Sequence, residues 1–324
     1  MSRLGTAVSV KIPSDVIFGV VIGALALLFA AVTVMHVVQL ARTWRPRHRL
    51  RAIESLARST NLAIPAEISE PLAEAAAARK RGALVGSLIA LPVVPLLFRP
   101  WSDAAPDFAA AASLVGIAVV LSSTTIGAVA GGLLGRLSMR TSHRAARITP
   151  LTYADLIAPV ERRLAAGCVG AGAALPALLV LSTSASWADR DLATAGDVRL
   201  LLIAGLASAG LWLALPAIAR RLVAARAIAG DEHALAWSDA LAARTLRDVT
   251  YLVVTLGGLS AVISVVWLGA AAPREWTVVA EIWGSIGFYL AAAAYITVIA
   301  LGAVRQPERH VQRTLWPQFA HDAQ

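Results

Sequence analysis

The stretch TYLVVTLGGLSAVISVVWLGAAA, residues 250–272, decides the class of fold because none of its 23 residues is charged. An α-helix needs about 20 apolar residues to cross the hydrocarbon core of a bilayer. The rest of the 324-residue chain has the same character, since 58% of all residues are hydrophobic and 15% are charged. Ordinary globular domains carry about 25% charged residues. The sequence therefore predicts an all-α, polytopic helical membrane protein.

Seven apolar stretches are predicted as transmembrane helices of a single domain, residues 1–324. They lie at residues 16–40, 82–98, 108–135, 164–184, 199–219, 250–272 and 277–303. The second stretch is short and contains Pro92 and Pro95, but it has no internal charge. The first stretch is interpreted as an uncleaved anchor, because its apolar run is too long for a signal peptide and its arginines follow the run.

Lysine and arginine are distributed unevenly between the two predicted faces of the membrane. The segments after spans one, three, five and seven hold 23 of the 29 Lys and Arg residues, and the opposite side holds 6. Loops rich in Lys and Arg stay in the cytoplasm. We therefore expect a multi-pass plasma-membrane protein with its N-terminus outside. Residues 42–81 are then the longest cytoplasmic loop and residues 305–324 a cytoplasmic tail.

A polar phrase recurs in this apolar chain after 84 residues. LTYADLIA, Leu151–Ala158, is matched by LAWSDALA, Leu235–Ala242, and the same offset places Arg136 on Arg220 at the exit of a span. A third copy lies one period earlier. The pattern predicts three tandem parallel two-helix repeats of about 84 residues plus a final helix, as in membrane proteins built from parallel repeats. Chance similarity among Ala/Leu/Gly-rich helices is the alternative.

Four residues of the two polar phrases are candidate functional residues. Thr152 and Asp155 have the spacing of a capping box, and Asp239 recurs in the second phrase. Tyr153 and Trp237 are expected to anchor at the headgroup level. We favour the interpretation that each phrase forms an interfacial elbow helix. The alternative is a docking surface for a cytoplasmic partner.

The stretch SSTTIGAVAGGLLG, Ser122–Gly135, is the polar exception inside a span. Small residues four apart let helix backbones approach closely, and hydroxyl groups can bond across such a contact. Helix packing is the favoured role, and lining a polar path is the alternative. Both interpretations concern the same residues, which are Ser122, Ser123, Thr124, Thr125, Gly127, Gly131 and Gly135. Pro92 and Pro176 are expected to bend their spans.

Signatures of catalysis, metal binding and cofactor binding are not found in the sequence. The ionisable residues His36 and Glu281 lie near span ends, where they are expected to reach the interface. No zinc-protease, phosphate-loop or dinucleotide motif occurs, and Cys168 is the sole cysteine. We therefore expect no enzymatic activity, no metal and no cofactor.

Two segments resemble known membrane proteins. The run AARITPLTYADL, Ala145–Leu156, resembles uncharacterised multi-pass integral membrane proteins of actinobacteria. The segment Ala219–Val249 resembles the cytoplasmic loops of FtsX-like ABC permeases. This second resemblance implies arginine-rich loops that join spans and touch an ATPase. Unlike that family, the chain is predicted to have only short outer loops, so no family site residue is carried over.

Two functions from different classes fit these patterns. The first is a bacterial transporter or permease component that handles an apolar or amphipathic solute, with an ATPase subunit as a cytoplasmic partner. The second is a structural or regulatory membrane protein that recruits a cytoplasmic partner through its basic loops. The net charge of +9 is mainly a topology signal. It favours the anionic lipid of the inner leaflet as a partner and does not predict nucleic-acid binding.

Overall fold

The computed structural model describes residues 14–94, 106–138, 151–184, 196–224, 232–270 and 309–320, together with residues 289 and 293. Within these ranges the chain is helical and has no strand. We number the helices α1 Ser14–Arg42, α2 Pro46–Thr60, α3 Ser69–Ala90, α4 Pro106–Ser138, α5 Tyr153–Leu156, α6 Pro159–Ser184, α7 Gly196–Ala224, α8 Glu232–Ala270 and α9 His310–Leu315. Two 3-10 turns, Ala66–Ile68 and Pro317–Ala320, precede α3 and follow α9.

Four of the helices are long and apolar enough to cross a membrane. Their apolar segments are Val119–Arg136 in α4, Pro159–Ser182 in α6, Val198–Ala224 in α7 and Glu232–Leu268 in α8. They overlap the predicted spans at 108–135, 164–184, 199–219 and 250–272, although the first begins later and the last begins earlier than predicted. Helix α1 adds the shorter apolar segment Phe29–Arg42.

The other predicted spans are not among these four helices. The second, at 82–98, coincides only in part with α3, which starts at Ser69 and carries Arg79, Lys80 and Arg81 in its middle. A turn at Leu91 and Pro92 interrupts the helix, so Pro92 does more than bend it. The last predicted span, at 277–303, lies outside the described residues except at two positions. The count of seven helices and the repeats therefore stay predictions.

Helix α8 is the central element of the bundle. Its apolar segment is 78% buried, whereas 22% of each of the other three apolar segments is buried. It packs against α4, α6 and α7, and α3 packs along α4. Large apolar side chains point outward from the peripheral helices, among them Leu134, Leu181 and Leu213. A membrane supplies the apolar surroundings that these side chains need, because lipid tails are as apolar as leucine.

The contact between α3 and α4 brings two backbones together. A Cβ atom added at Gly127 would overlap the carbonyl oxygen of Gly82 and lie 3.2 Å from the Cα atom of Gly86. One added at Gly131 would overlap the carbonyl oxygen of Ala78. Only glycine allows this approach, so the glycines of the polar stretch serve helix packing.

The two polar phrases fold differently. The first forms the short helix α5, and extended Ile157 separates it from α6. The second lies inside the continuous helix α8, so the expected second elbow helix was wrong. Pro159 begins α6 because its ring and missing N–H favour the first turn of a helix and disfavour helix in the preceding residue. Ala243 occupies the equivalent place in the second phrase and lets the helix continue.

Candidate functional site

The ends of several helices meet on one face of the bundle, which we call the basic face. Arg136, near the end of α4, donates from Nη2 to the carbonyl oxygen of Leu222 near the end of α7, at 3.0 Å. Arg247 of α8 donates to Glu161 in the first turn of α6 at 2.8 Å, and both side chains are buried. These contacts join the end of α4 to the end of α7, and the first turn of α6 to α8.

A cavity of about 370 Å³ opens in the basic face between α2, α3, α4 and α8. Helix α2 lines it with residues at helical spacing, namely His48, Arg51, Ala52, Ser55 and Leu56. Small residues on the facing helices leave the space open, and these are Ala75, Ala76 and Ala83 of α3 and Gly132 of α4. Helix α2 is held over the opening because Arg49 pairs with Glu74 of α3 at 2.8 Å.

The lining of this cavity is strongly cationic. Among the described residues, five arginine or lysine side chains and no carboxylate line it; the five are Arg51, Arg79, Lys80, Arg136 and Arg244. Arg79 is held in place by Asp248, whose two oxygens accept from Nε and Nη2 at 2.6 and 2.5 Å. The cavity thus combines one fixed, paired guanidinium with further cationic groups around open space.

Arg136 is the most buried cation of the cavity. Its residue is 6% exposed, and its Nη1 atom is buried without a hydrogen-bond partner among the described residues. Asp239 is the carboxylate that interacts with it electrostatically. A buried cationic nitrogen without an acceptor is costly. Arg136 thus lines the cavity while its Nη1 atom is enclosed by protein.

A second cavity of about 260 Å³ adjoins the first. It is lined by Gln39, Arg42, Thr43, His48, Ala52, Ala77 and Lys80, so His48, Ala52 and Lys80 belong to both cavities. Desolvation lowers the pKa of His48, and the positive charges of Arg51, Arg42, Lys80 and Arg45 lower it further. His48 is therefore neutral near pH 7 when no anion is bound.

Both cavities lie at the depth where apolar helices end. Arg42 is the last residue of the apolar segment of α1, and Arg136 is the last residue of that of α4. Trp44, next to the second cavity, is 59% exposed, and the Arg81 guanidinium lies 4.4 Å from the centre of its ring. Tryptophan is enriched at membrane–water interfaces. The cavities therefore lie beside the ends of apolar segments and near a tryptophan of the kind found at such interfaces.

The candidate residues of the two polar phrases do not form one surface. Asp155 accepts from the backbone N–H and the hydroxyl of Thr152 at 2.8 and 2.7 Å, in the geometry of a capping box. Tyr153 is half-buried, and burial raises its pKa. Trp237 and Asp239 lie in the interior, 0% and 4% exposed. Their partners are the Ala63 carbonyl, which accepts from the Trp237 indole at 2.7 Å, and the Trp316 indole, which donates to Asp239 at 3.1 Å.

The two threonine hydroxyl groups of the polar stretch form hydrogen bonds within their own helix. Thr124 and Thr125 donate to the carbonyls four residues earlier at 2.7 and 2.8 Å. Ser122 Oγ is buried with no partner among the described residues, and the Ser123 carbonyl packs against Gly86. The Thr124 and Thr125 hydroxyls therefore bond within α4 and not across the contact with α3.

The interfacial ionisable candidates are described only in part. His36 Nδ1 lies 2.8 Å from the Val32 carbonyl oxygen of its own helix, and Glu281 lies outside the described residues. In the part of the chain that the structure describes, no group of three His, Cys, Asp or Glu side chains could hold a metal ion.

Sequence reasoning missed the cavity because it treated the arginines of residues 42–81 only as a topology signal. The spacing of His48, Arg51 and Ser55 on one face of a helix was a usable sign. Arg79 and Lys80 lie between alanines on α3, the helix that faces α2. The sequence does not show that α4 and α8 line the same cavity as α2 and α3.

The fold and the cavity define an all-helical protein with four helices long and apolar enough to cross a membrane. Comparison with protein-family models, with curated proteins and with solved structures gives no match. The resemblances to actinobacterial membrane proteins and to FtsX-like permeases stay predictions.

Proposed function

We propose that the chain is a non-enzymatic integral membrane protein that binds an anionic amphiphile at its basic face and acts as a transporter or permease component. The observation that carries the proposal is the cavity at the end of the apolar segment of α4. Among the described residues, five cationic side chains and no carboxylate line it. An amphipathic solute with a phosphate headgroup matches both the charge and the depth of this cavity.

The chemistry of the lining favours a phosphate group as the anion. A guanidinium presents several N–H donors in a plane and matches the oxygens of phosphate in paired hydrogen bonds. Arg136 lines the cavity, and its guanidinium is already oriented by the Leu222 carbonyl. Phosphate oxygens are strong acceptors for such cationic donors.

The membrane, its orientation and the partner belong to the same proposal. The excess of Lys and Arg on one side of the chain supports a plasma-membrane protein with its N-terminus outside and its C-terminus in the cytoplasm. The cavity then faces the anionic inner leaflet, whose lipids attract basic segments. The resemblance to FtsX-like loops suggests an ATPase subunit as the cytoplasmic partner.

Binding is tested on the purified protein by native mass spectrometry with two lipids that share their acyl chains, one with a phosphate monoester headgroup and one zwitterionic. We expect the phosphate lipid to bind selectively. Arg136→Gln and Arg51→Gln should each weaken its binding about tenfold, because a hydrogen bond to a charged group contributes about 1.5–3 kcal/mol. Arg221→Gln is the matched control, since Arg221 is exposed near the end of α7 and lies outside the cavity lining. Equal loss in all three variants would contradict the proposal.

Movement of the ligand is tested separately in proteoliposomes with a fluorescent phosphate lipid. We expect the wild-type protein, alone or with an added ATPase subunit, to move the lipid between leaflets and Arg136→Gln to lose that activity. Binding without movement would favour the alternative function, a structural or regulatory protein that recruits a cytoplasmic partner.

A further inference from the structure

The two cavities of the basic face form one continuous basic region. They share His48, Ala52 and Lys80, and each contributes an arginine of its own. Arg136 lines the larger cavity and Arg42 the smaller one. Each volume exceeds that of several water molecules, which occupy about 30 Å³ apiece in the liquid. The region therefore has room for two anionic groups side by side.

We propose that the two cavities are adjoining subsites for one amphiphile whose headgroup carries two phosphate groups in series, a diphosphate. One phosphate lies by Arg136 in the larger cavity, the other by Arg42 in the smaller one, and Lys80 and His48 lie between them. This inference rests on the proposed function of the basic face.

The charge of the region fits a diphosphate better than a single phosphodiester. A phosphodiester carries one negative charge, whereas a terminal phosphate group carries about −1.5 to −2 near neutral pH. Among the residues that the structure describes, Arg42, Arg51 and Lys80 form no ion pair with a carboxylate. With Arg136 they supply enough positive charge for a headgroup of two phosphates.

His48 couples this site to pH. The charges that face it are Arg42 of α1, Arg45 of the α1–α2 turn, Arg51 of its own helix and Lys80 of α3, all cationic. A diphosphate in the two subsites adds negative charge beside these cations. An adjacent anion raises the pKa of histidine. Binding of the diphosphate therefore takes up a proton at His48. This offsets part of the affinity lost as the phosphate groups of the ligand are protonated between pH 8 and pH 6.

The test compares three probes on the detergent-purified full chain by a filter-binding assay. They are an amphiphile with a diphosphate headgroup, the same chain with a monophosphate, and inorganic pyrophosphate. We expect the diphosphate amphiphile to bind about tenfold more tightly than the monophosphate. Inorganic pyrophosphate should compete more weakly than the diphosphate amphiphile, because it lacks the apolar chain. If pyrophosphate and the diphosphate amphiphile bound with equal affinity, the ligand would not be a lipid. The site would then be assigned to a soluble diphosphate.

Variants separate the two subsites. Arg42→Gln should weaken diphosphate binding about tenfold and leave monophosphate binding unchanged. Arg47→Gln, an exposed arginine of α2 outside both linings, should change neither. His48→Gln should weaken diphosphate binding more at pH 6 than at pH 8, relative to wild type. Equal binding of mono- and diphosphate amphiphiles, with no effect of Arg42→Gln, would overturn the two subsites and leave the proposed function standing. Failure of both amphiphiles to bind would overturn the proposed function itself.

Discussion

The close approach of α3 and α4 gives a sharp prediction, because two glycines of α4 meet very different surroundings. A Cβ atom at Gly127 would overlap the carbonyl oxygen of Gly82, and it would lie 2.8 Å from that carbonyl carbon. These are backbone atoms, which cannot rotate away, so α3 must move. A Cβ atom at Gly132 meets only side chains, Thr245 Oγ1 at 3.5 Å and Arg79 Cγ at 4.0 Å.

The two substitutions to alanine should therefore change stability in opposite directions. Forcing extra atoms into a packed contact typically costs about 1–3 kcal/mol. Alanine is favoured over glycine inside a helix by roughly 0.5–1 kcal/mol. Gly127→Ala should lose about 0–2.5 kcal/mol once the helical preference is subtracted. Gly132→Ala should gain about 0.5–1 kcal/mol, because its new methyl group makes ordinary contacts.

The free energy of unfolding of both variants is measured by reversible denaturation in mixed micelles, with helicity followed by circular dichroism. Gly132→Ala is the internal control, since it makes the same chemical change five residues further along the same helix. A Gly127→Ala protein at least as stable as Gly132→Ala would refute the backbone contact between α3 and α4.

Three further predictions concern other parts of the chain. Glu161→Ala should destabilise the protein by about 3–5 kcal/mol, because it removes one partner of a buried ion pair; a change under 1 kcal/mol in the same denaturation assay would contradict a buried ion pair. Asp155→Asn should be nearly neutral and Asp155→Ala should cost about 1 kcal/mol, since asparagine caps about as well as aspartate; equal losses would argue against capping. Gln324→Cys on a Cys168→Ala background should react with an impermeant thiol reagent only after cells are permeabilised, and labelling of intact cells would reverse the predicted orientation.

Those parts of the fold that depend on local sequence were predictable. The four apolar segments follow from composition, because lipid demands an apolar surface along a whole helix. The packing role of Gly127 and Gly131 followed from their spacing, since residues four apart lie on one helical face. Such features need no knowledge of how distant helices are arranged.

Other parts of the fold were not predictable, because they depend on residues that differ between the two copies of the repeat. The polar phrases agree at Asp155 and Asp239, yet Pro159 starts a new helix where Ala243 continues one. The repeat suggested an anchor at Trp237, which instead is fully buried. Its burial reflects α8 being the central helix, and the hydrophobicity of its sequence alone does not distinguish a central helix from a peripheral one.

The cavity could not be derived from the sequence, because its lining comes from four helices. Arg51 and Arg244 are 193 positions apart, and only the packing of α2 and α8 around α3 and α4 brings them to one opening. Sequence patterns report the face of a helix, whereas a cavity depends on where small residues such as Gly132 and Ala76 oppose each other.

Protection of a thiol inside the cavity shows directly whether an anion binds in the basic face. Ser55→Cys places a thiol in the lining, Thr314→Cys places one on an exposed part of α9, and Cys168→Ala removes the native cysteine. A neutral maleimide is added to the reconstituted protein with and without a phosphate-headgroup amphiphile. We expect the amphiphile to slow labelling at position 55, to leave labelling at position 314 unchanged and to protect neither position in the Arg136→Gln variant. Unchanged labelling at position 55 with saturating amphiphile would contradict an anion site in the basic face.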